Sequence, residues 1–210
     1  FTATFSVMGH VAKVDGRVSE REIAMAEALM AQMELSPDMR RTAIRLFSEG
    51  KGARFQLDEV LEQFRRECHR RQTLIQMFME IQLQAAYADG ALNAVEERLL
   101  LHICERLGFS TFVFRRLEQL VRLQHQFAGA GRGPAMEPKG PTLDDAYAVL
   151  GVESQATDAA VKRAYRRLLS QHHPDKLVAK GLPEEMMKLA AQKTHEIRQA
   201  YELVKQARGM

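Results

Sequence analysis

Apolar residues recur along this chain at spacings of three and four, with no sustained alternation, so the pattern predicts helices and no strands. Between Asp158 and Gln171 the stripe is Val161, Ala164, Tyr165, Leu168 and Leu169, and the opposite face carries Lys162, Arg163, Arg166 and Arg167. Thr157 stands where an N-cap belongs, and Asp158 places a negative charge at the positive end of the helix dipole. Pro174 ends this helix, because it has no N–H to donate and its ring clashes with the preceding turn. Farther back, Thr73 to Ala88 is apolar on most sides (Leu74, Ile75, Met77, Phe78, Ile81, Leu83), which marks a central buried helix. Ser19 with Glu22 and Asn93 with Glu96 form capping boxes, while Ser36-Pro37 and Ser110 open two further helices. About seven helices are expected before residue 128. Met25, Met30, Met33, Met77 and Met79 fall at core spacings within them.

The first part of the chain repeats itself. Asp15-Gly16 lies over Asp89-Gly90, Ser19 over Asn93, Glu22 over Glu96, and Leu35-Ser36 over Phe109-Ser110. One constant offset relates all of them, as a duplicated helical bundle with an internal pseudo-twofold axis would leave behind. The glycines and prolines of Gly129 to Pro141 suit an extended connector. The chain thus divides into a helical domain over 1–127, a Gly/Pro-rich linker over 128–141 and a second helical domain over 142–210.

Composition narrows the chemistry. With 46% hydrophobic and 27% charged residues, the chain has the make-up of a folded globular protein. The net charge of +3 is spread evenly: residues 142–210 hold 11 Lys/Arg against 9 Asp/Glu, leaving 19 against 18 before them. Neither part has the excess or the stacking aromatics of a phosphate binder, so no nucleic-acid partner is expected. No run of about 18 apolar residues is present to span a bilayer. Cys68 beside His69 and Cys104 near His102 make no CxxC pair, and neighbouring helix positions diverge by about 100°. Buried free thiols are the expected reading. Asp15, Glu22, Asp89 and Glu96 offer oxygen ligands for a hard cation, but the Asp-Gly turn and the capping glutamate account for them more simply. No metal and no cofactor is expected.

The surroundings of His173-Pro174-Asp175 carry a resemblance. Tyr147-Ala148-Val149-Leu150-Gly151-Val152, Lys162 to Leu168, His173-Pro174-Asp175-Lys176 and Ile197-Arg198-Gln199-Ala200-Tyr201-Glu202 resemble the J domain of Hsp70 cochaperones in order and spacing. That implies an antiparallel helix pair presenting the tripeptide at one end. It also implies that His173, Pro174 and Asp175, with Lys162, Arg163, Tyr165, Arg166 and Arg167, bind an Hsp70 of the DnaK type and stimulate its ATP hydrolysis. The chain itself is then no enzyme: His173 has no nucleophile or second acid at a recognisable spacing. One departure stands out, because Thr194 occupies a position where family members carry an aromatic. An altered core or Hsp70 contact is expected there.

Residues 1–127, with their repeated Asp-Gly turns and capped helices, resemble the tellurite-resistance TerB-like domain. The two domains together resemble the bacterial membrane-anchored DnaJ-like cochaperones. The resemblance implies an anchor upstream of Phe1, a place on the cytoplasmic face of the inner membrane, and an N-terminal domain that selects an unknown client or partner, with dimerisation through the anchor left open. General holding of unfolded clients is not expected. The alternative is an envelope-stress signalling or scaffold protein whose TerB-like domain binds a divalent metal or a protein.

Overall fold

In a computed structural model the chain is all-α, and the structure describes residues 1–68, 71–130, 142–179 and 184–210, with side chains through Arg122, over 142–179 and again from Met186. The expectation of an extended connector over 131–141 lies outside them. The first domain contains α1 (Thr2–Lys13), α2 (Glu20–Gln32), α3 (Pro37–Gly50), α4 (Leu57–Cys68), α5 (Gln72–Ala86), a 3-10 turn at Tyr87–Asp89, α6 (Ala94–Arg106) and α7 (Thr111–Ala130). Helix α7 runs to Ala130, into the segment read from sequence as linker. The second contains α8 (Leu143–Leu150), α9 (Asp158–His172), α10 (Pro174–Val178) and α11 (Glu184–Arg208).

Helices α1 and α5 form the centre, with most of their residues buried. Gln82 of α5, fully buried, donates its amide to the Thr4 carbonyl at 3.0 Å. Helix α1 meets α3 at backbone range: a Cβ on Gly9 would sit 2.0 Å from the Phe47 carbonyl oxygen, and one on Gly50 would sit 1.8 Å from that of Ser6. Only glycine fits at either position.

The repeat is plain in the structure. Each Asp-Gly turn ends on a glycine at positive φ, Gly16 at 102° and Gly90 at 96°. In each capping box the glutamate accepts the N–H of the cap residue, Glu22 from Ser19 at 2.7 Å and Glu96 from Asn93 at 2.9 Å. Helices α2 and α6 then end alike. Leu35 N–H reaches the Met30 carbonyl and Phe109 N–H reaches that of Cys104, as in a Schellman cap. Gly108 takes the left-handed position in one copy (φ 85°) and Glu34 in the other (φ 48°).

In the second domain three contacts order α11 antiparallel to α9: Thr194 meets His172, Tyr201 stacks on Tyr165, and Arg208 reaches Asp158. Val161, Leu168, Ile197, Ala200 and Val204 fill the space between them. Met186 and Ala190 depart from expectation. The helical spacing of Met186, Ala190, Ile197, Ala200, Tyr201 and Val204 predicts one apolar face against Val161, Tyr165 and Leu168 of α9, yet Met186 and Ala190 join Leu177 in the core of the first domain. A stripe gives the buried face of a helix and cannot say which neighbour covers each turn.

The two domains therefore touch. Lys188 pairs with Glu34. Gly151 lies under Leu120, where a Cβ would come within 2.9 Å of a leucine methyl. His172, 4% exposed, faces Glu80 of α5 at 3.8 Å. Burial pushes its imidazole below the ordinary value; Glu80 and Glu196 oppose that shift and Lys193 adds to it.

Both cysteines are buried. Burial raises the Cys68 thiol and pushes that of Cys104 up to about 11. Met30, Met33, Met77 and Met79 are core residues, and Met25 packs against the core at partial burial. Among the described residues no three His, Cys, Asp or Glu side chains are grouped to hold a metal.

Two outcomes follow from the buried titratable groups. The Glu96 carboxyl is raised by burial and by Glu22, Asp15 and Asp89 facing it. The folded state then favours its protonated form, so stability rises as pH falls through the raised value and levels off near the unfolded one. Glu96→Gln keeps the acceptor and removes the charge. It should stabilise the chain at pH 7 and lose that advantage as pH falls toward 4, measured by urea unfolding. A loss at pH 7 matching that of Glu96→Ala would contradict this account. For His172 the sign is opposite: its contribution is complete above the ordinary histidine value and is lost as pH falls through the depressed one. The stability difference between the parent and His172→Gln should narrow between pH 7 and pH 5, and a difference constant with pH would exclude the buried imidazole as its source.

Candidate interaction site at the end of helix α9

Helix α9 begins on Thr157, whose hydroxyl accepts the Ala160 N–H at 3.3 Å, and carries Asp158 in its first turn. Arg208, from the end of α11, ties down this end. Its guanidinium donates to the Tyr147 hydroxyl at 2.6 Å, the Ala156 carbonyl at 2.6 Å, the Ser154 carbonyl at 2.7 Å and the Asp158 carboxylate at 3.0 Å. It also lies over the Tyr147 ring. The arginine thereby fixes the α8–α9 connection and the register of the helix pair.

At the other end the helix stops at His172, and His173 takes an extended conformation, φ −62° and ψ 123°. A residue before proline is steered there by the proline ring. The carbonyl of His172 is left without a helical partner, and the buried hydroxyl of Thr194 donates to it at 2.8 Å. This is the physical content of the threonine that departs from the family pattern: a polar contact at the helix end in place of an aromatic one. Pro174 then opens a new helix, acting as the first residue of α10. His173 is its cap, accepting the Asp175 N–H at Nδ1, 3.3 Å away. An Nδ1 acceptor leaves the ring proton on Nε2, the edge free to donate outward. Leu177, 1% exposed, anchors α10, and Lys176 donates to the Ser170 hydroxyl at 2.8 Å. The sequence pattern shows the end of α9 but misses α10, since five residues are too few for a periodic signal.

The side chains singled out from sequence divide into two groups. Lys162, Arg163, Arg166 and Arg167 are all exposed and share one side of α9. Among the described residues none of the four forms an ion pair, whereas arginines elsewhere on the surface do. The Asp175 carboxylate is 91% exposed, with His173 and Pro174 half-buried. Tyr165 is apart from this set. Its ring is half-buried and stacks on Tyr201, with centroids 4.0 Å apart and planes within 11°. It supports the helix pair more than it faces outward.

Asp15, Glu22, Asp89 and Glu96 also come together where the two repeats meet. Asn93 reaches Asp15 at 3.4 Å, and Arg21 reaches the Asp89 carbonyl at 3.5 Å. Both glutamates are held by their caps, and their carboxyls are raised chiefly by burial. Capping is what the geometry shows them doing.

Sequence reasoning passes over two residues beside the site. Phe112 and Arg116 of α7 approach α9 at Arg167. Nothing in their spacing marks them, because their significance depends on how the two domains dock.

Comparison with known proteins agrees with this arrangement. The family described as tellurite resistance protein TerB matches residues 1–119, and the DnaJ domain matches residues 145–208. Over 211 residues the chain is 49% identical to the co-chaperone protein DjlA of Coxiella burnetii, spanning all of this chain and 78% of that protein. It is 47% identical to the proteins of the same name from Escherichia coli (strain K12) and Salmonella typhimurium, spanning 79% of each. No solved structure matches the chain. Identity of this extent across both domains, joined to a J-domain tripeptide set at the end of a basic helix, shows that the chain belongs to the DjlA family of co-chaperones.

Proposed function

We propose that this co-chaperone docks on an Hsp70 of the DnaK type through the basic side of α9 and through His173, Pro174 and Asp175, and that docking stimulates ATP hydrolysis by the Hsp70. The observation that carries the reading is the Asp175 carboxylate: 91% exposed, yet mounted on a backbone braced on both sides by the Thr194–His172 hydrogen bond and by buried Leu177. A charged group on a rigid mount loses little entropy on binding, and a free carboxylate can take an arginine in bidentate fashion. Lys162, Arg163, Arg166 and Arg167, without an ion pair among the described residues, supply long-range attraction to an acidic surface.

The chain supplies no catalytic group of its own to this cycle. His173 uses Nδ1 to cap α10 and has Nε2 to offer a partner. Client or partner choice at the membrane falls to the first domain, and the inner membrane's cytoplasmic face is the proposed location of the full protein. Both assignments rest on the family resemblance. No helix among the described residues is long and apolar enough to cross a membrane.

Single-turnover ATP hydrolysis by purified DnaK, with and without the chain, tests the proposal. The parent should accelerate hydrolysis, and the chain alone should hydrolyse nothing. Asp175→Asn removes a charge-assisted pair worth roughly 1.5–3 kcal/mol, so stimulation should fall at least about tenfold. Undiminished stimulation by this variant would sink the assignment. Raising the ionic strength should weaken stimulation by the parent, since the α9 charges are exposed.

A further inference from the structure

Two arginines from different domains line one groove. They are Arg116 of α7 and Arg167 of α9, and burial together with the nearby Arg116 charge disfavours the charged form of Arg167. Among the described residues neither has an acidic partner. The contrast with the adjacent Arg115 is sharp, because that side chain pairs with both Glu97 and Glu118. The one carboxylate on the groove wall, Glu80, is 8% exposed, takes the Gln76 amide at 2.9 Å and faces His172. It is not free to neutralise either guanidinium.

Beside the two charges lies apolar surface. Phe112 is 77% exposed, the most of any large hydrophobic residue described, and Val113 and Leu120 line the groove below it. The groove encloses about 190 Å³. An exposed aromatic next to unpaired arginines is the composition of a protein-binding hot spot. The patch is also continuous with the basic side of α9, since Arg167 belongs to both.

From this, and resting on the Hsp70-docking reading above, we infer that the TerB-like domain completes the docking surface: Phe112 and Arg116 join Arg167 in binding an acidic, partly apolar patch of the same Hsp70. Charge complementarity selects that occupant. Two guanidiniums held side by side are relieved by carboxylates, and an apolar contact desolvates Phe112. A nucleic acid would need a broader basic surface than a chain of net charge +3 presents around a single exposed ring. The first domain thereby acts as a specificity element, orienting the Hsp70 against both domains together.

The test uses the whole chain and purified DnaK. A photo-crosslinking amino acid placed at Phe112 should capture DnaK in the presence of ATP, and the same substitution at Ile44 of α3, also exposed, should not. Capture should be lost when Asp175→Asn is added. By calorimetry Arg116→Ala should weaken DnaK binding about five- to tenfold and lower its salt dependence, with an unchanged melting temperature showing that the fold persists. Arg116→Lys should recover much of the affinity. No capture at position 112, or parental affinity in Arg116→Ala, while Asp175→Asn still abolishes stimulation, would overturn this inference and leave the docking reading standing. Loss of neither stimulation nor capture in Asp175→Asn would remove the docking reading itself.

Discussion

The carbonyl at the end of α9 sets the terms for everything around the tripeptide. A helix that stops leaves its last carbonyls without partners, and one that stops in a buried position must find them elsewhere in the protein. Here the Thr194 hydroxyl answers for His172, from a helix running the other way and 22 residues along the chain. That bond satisfies the end that Pro174 imposes on α9. His173 can then serve as the cap of α10, and the Asp175 carboxylate emerges in its first turn. With an aromatic at 194 the carbonyl would need water or a changed helix end. The loop and the helix pair are thus one mechanical unit, held at the opposite end by Arg208.

The first domain reaches into this unit. Leu177, Met186 and Ala190 sit in its core, so α10, which carries Pro174 and Asp175, and the start of α11 are clamped between α9 and the first bundle. A buried imidazole facing a carboxylate, His172 against Glu80, lies at the seam. Burial disfavours the charged imidazole there, and the Glu80 carboxylate opposes that shift. The geometry of the candidate site is therefore a property of two domains. A basic helix with a rigid tip would be common to any J domain, whereas the placement of α7 beside it belongs to this architecture.

The internal duplication explains why that placement is reproducible. Two copies of turn, capped helix and Schellman cap face each other across an axis, each copy burying its glutamate against the acids of the other. Close backbone contact at Gly9 and Gly50 locks α1 to α3. The result is a stiff platform from which α7 projects toward the second domain. Stiffness matters because two surfaces can act as one docking face only when their separation is fixed.

The local elements were decided by the sequence itself, because the forces that set them act within a few residues. The 3.6-residue stripe defines α9 and α5, the Ser19–Glu22 and Asn93–Glu96 pairs set helix starts, and Pro174 with its neighbours marks the end of α9. The outward basic face of α9 follows from the same periodicity. What escaped it needed contacts between distant segments: the assignment of Met186 and Ala190 to the first core, the Thr194 hydroxyl against the His172 carbonyl, and the approach of Arg116 to Arg167. Periodicity tells a helix which face to bury and is silent on the partner. Only the docking of one domain on the other decides that, because burial, hydrogen-bond satisfaction and charge proximity are properties of the space between elements.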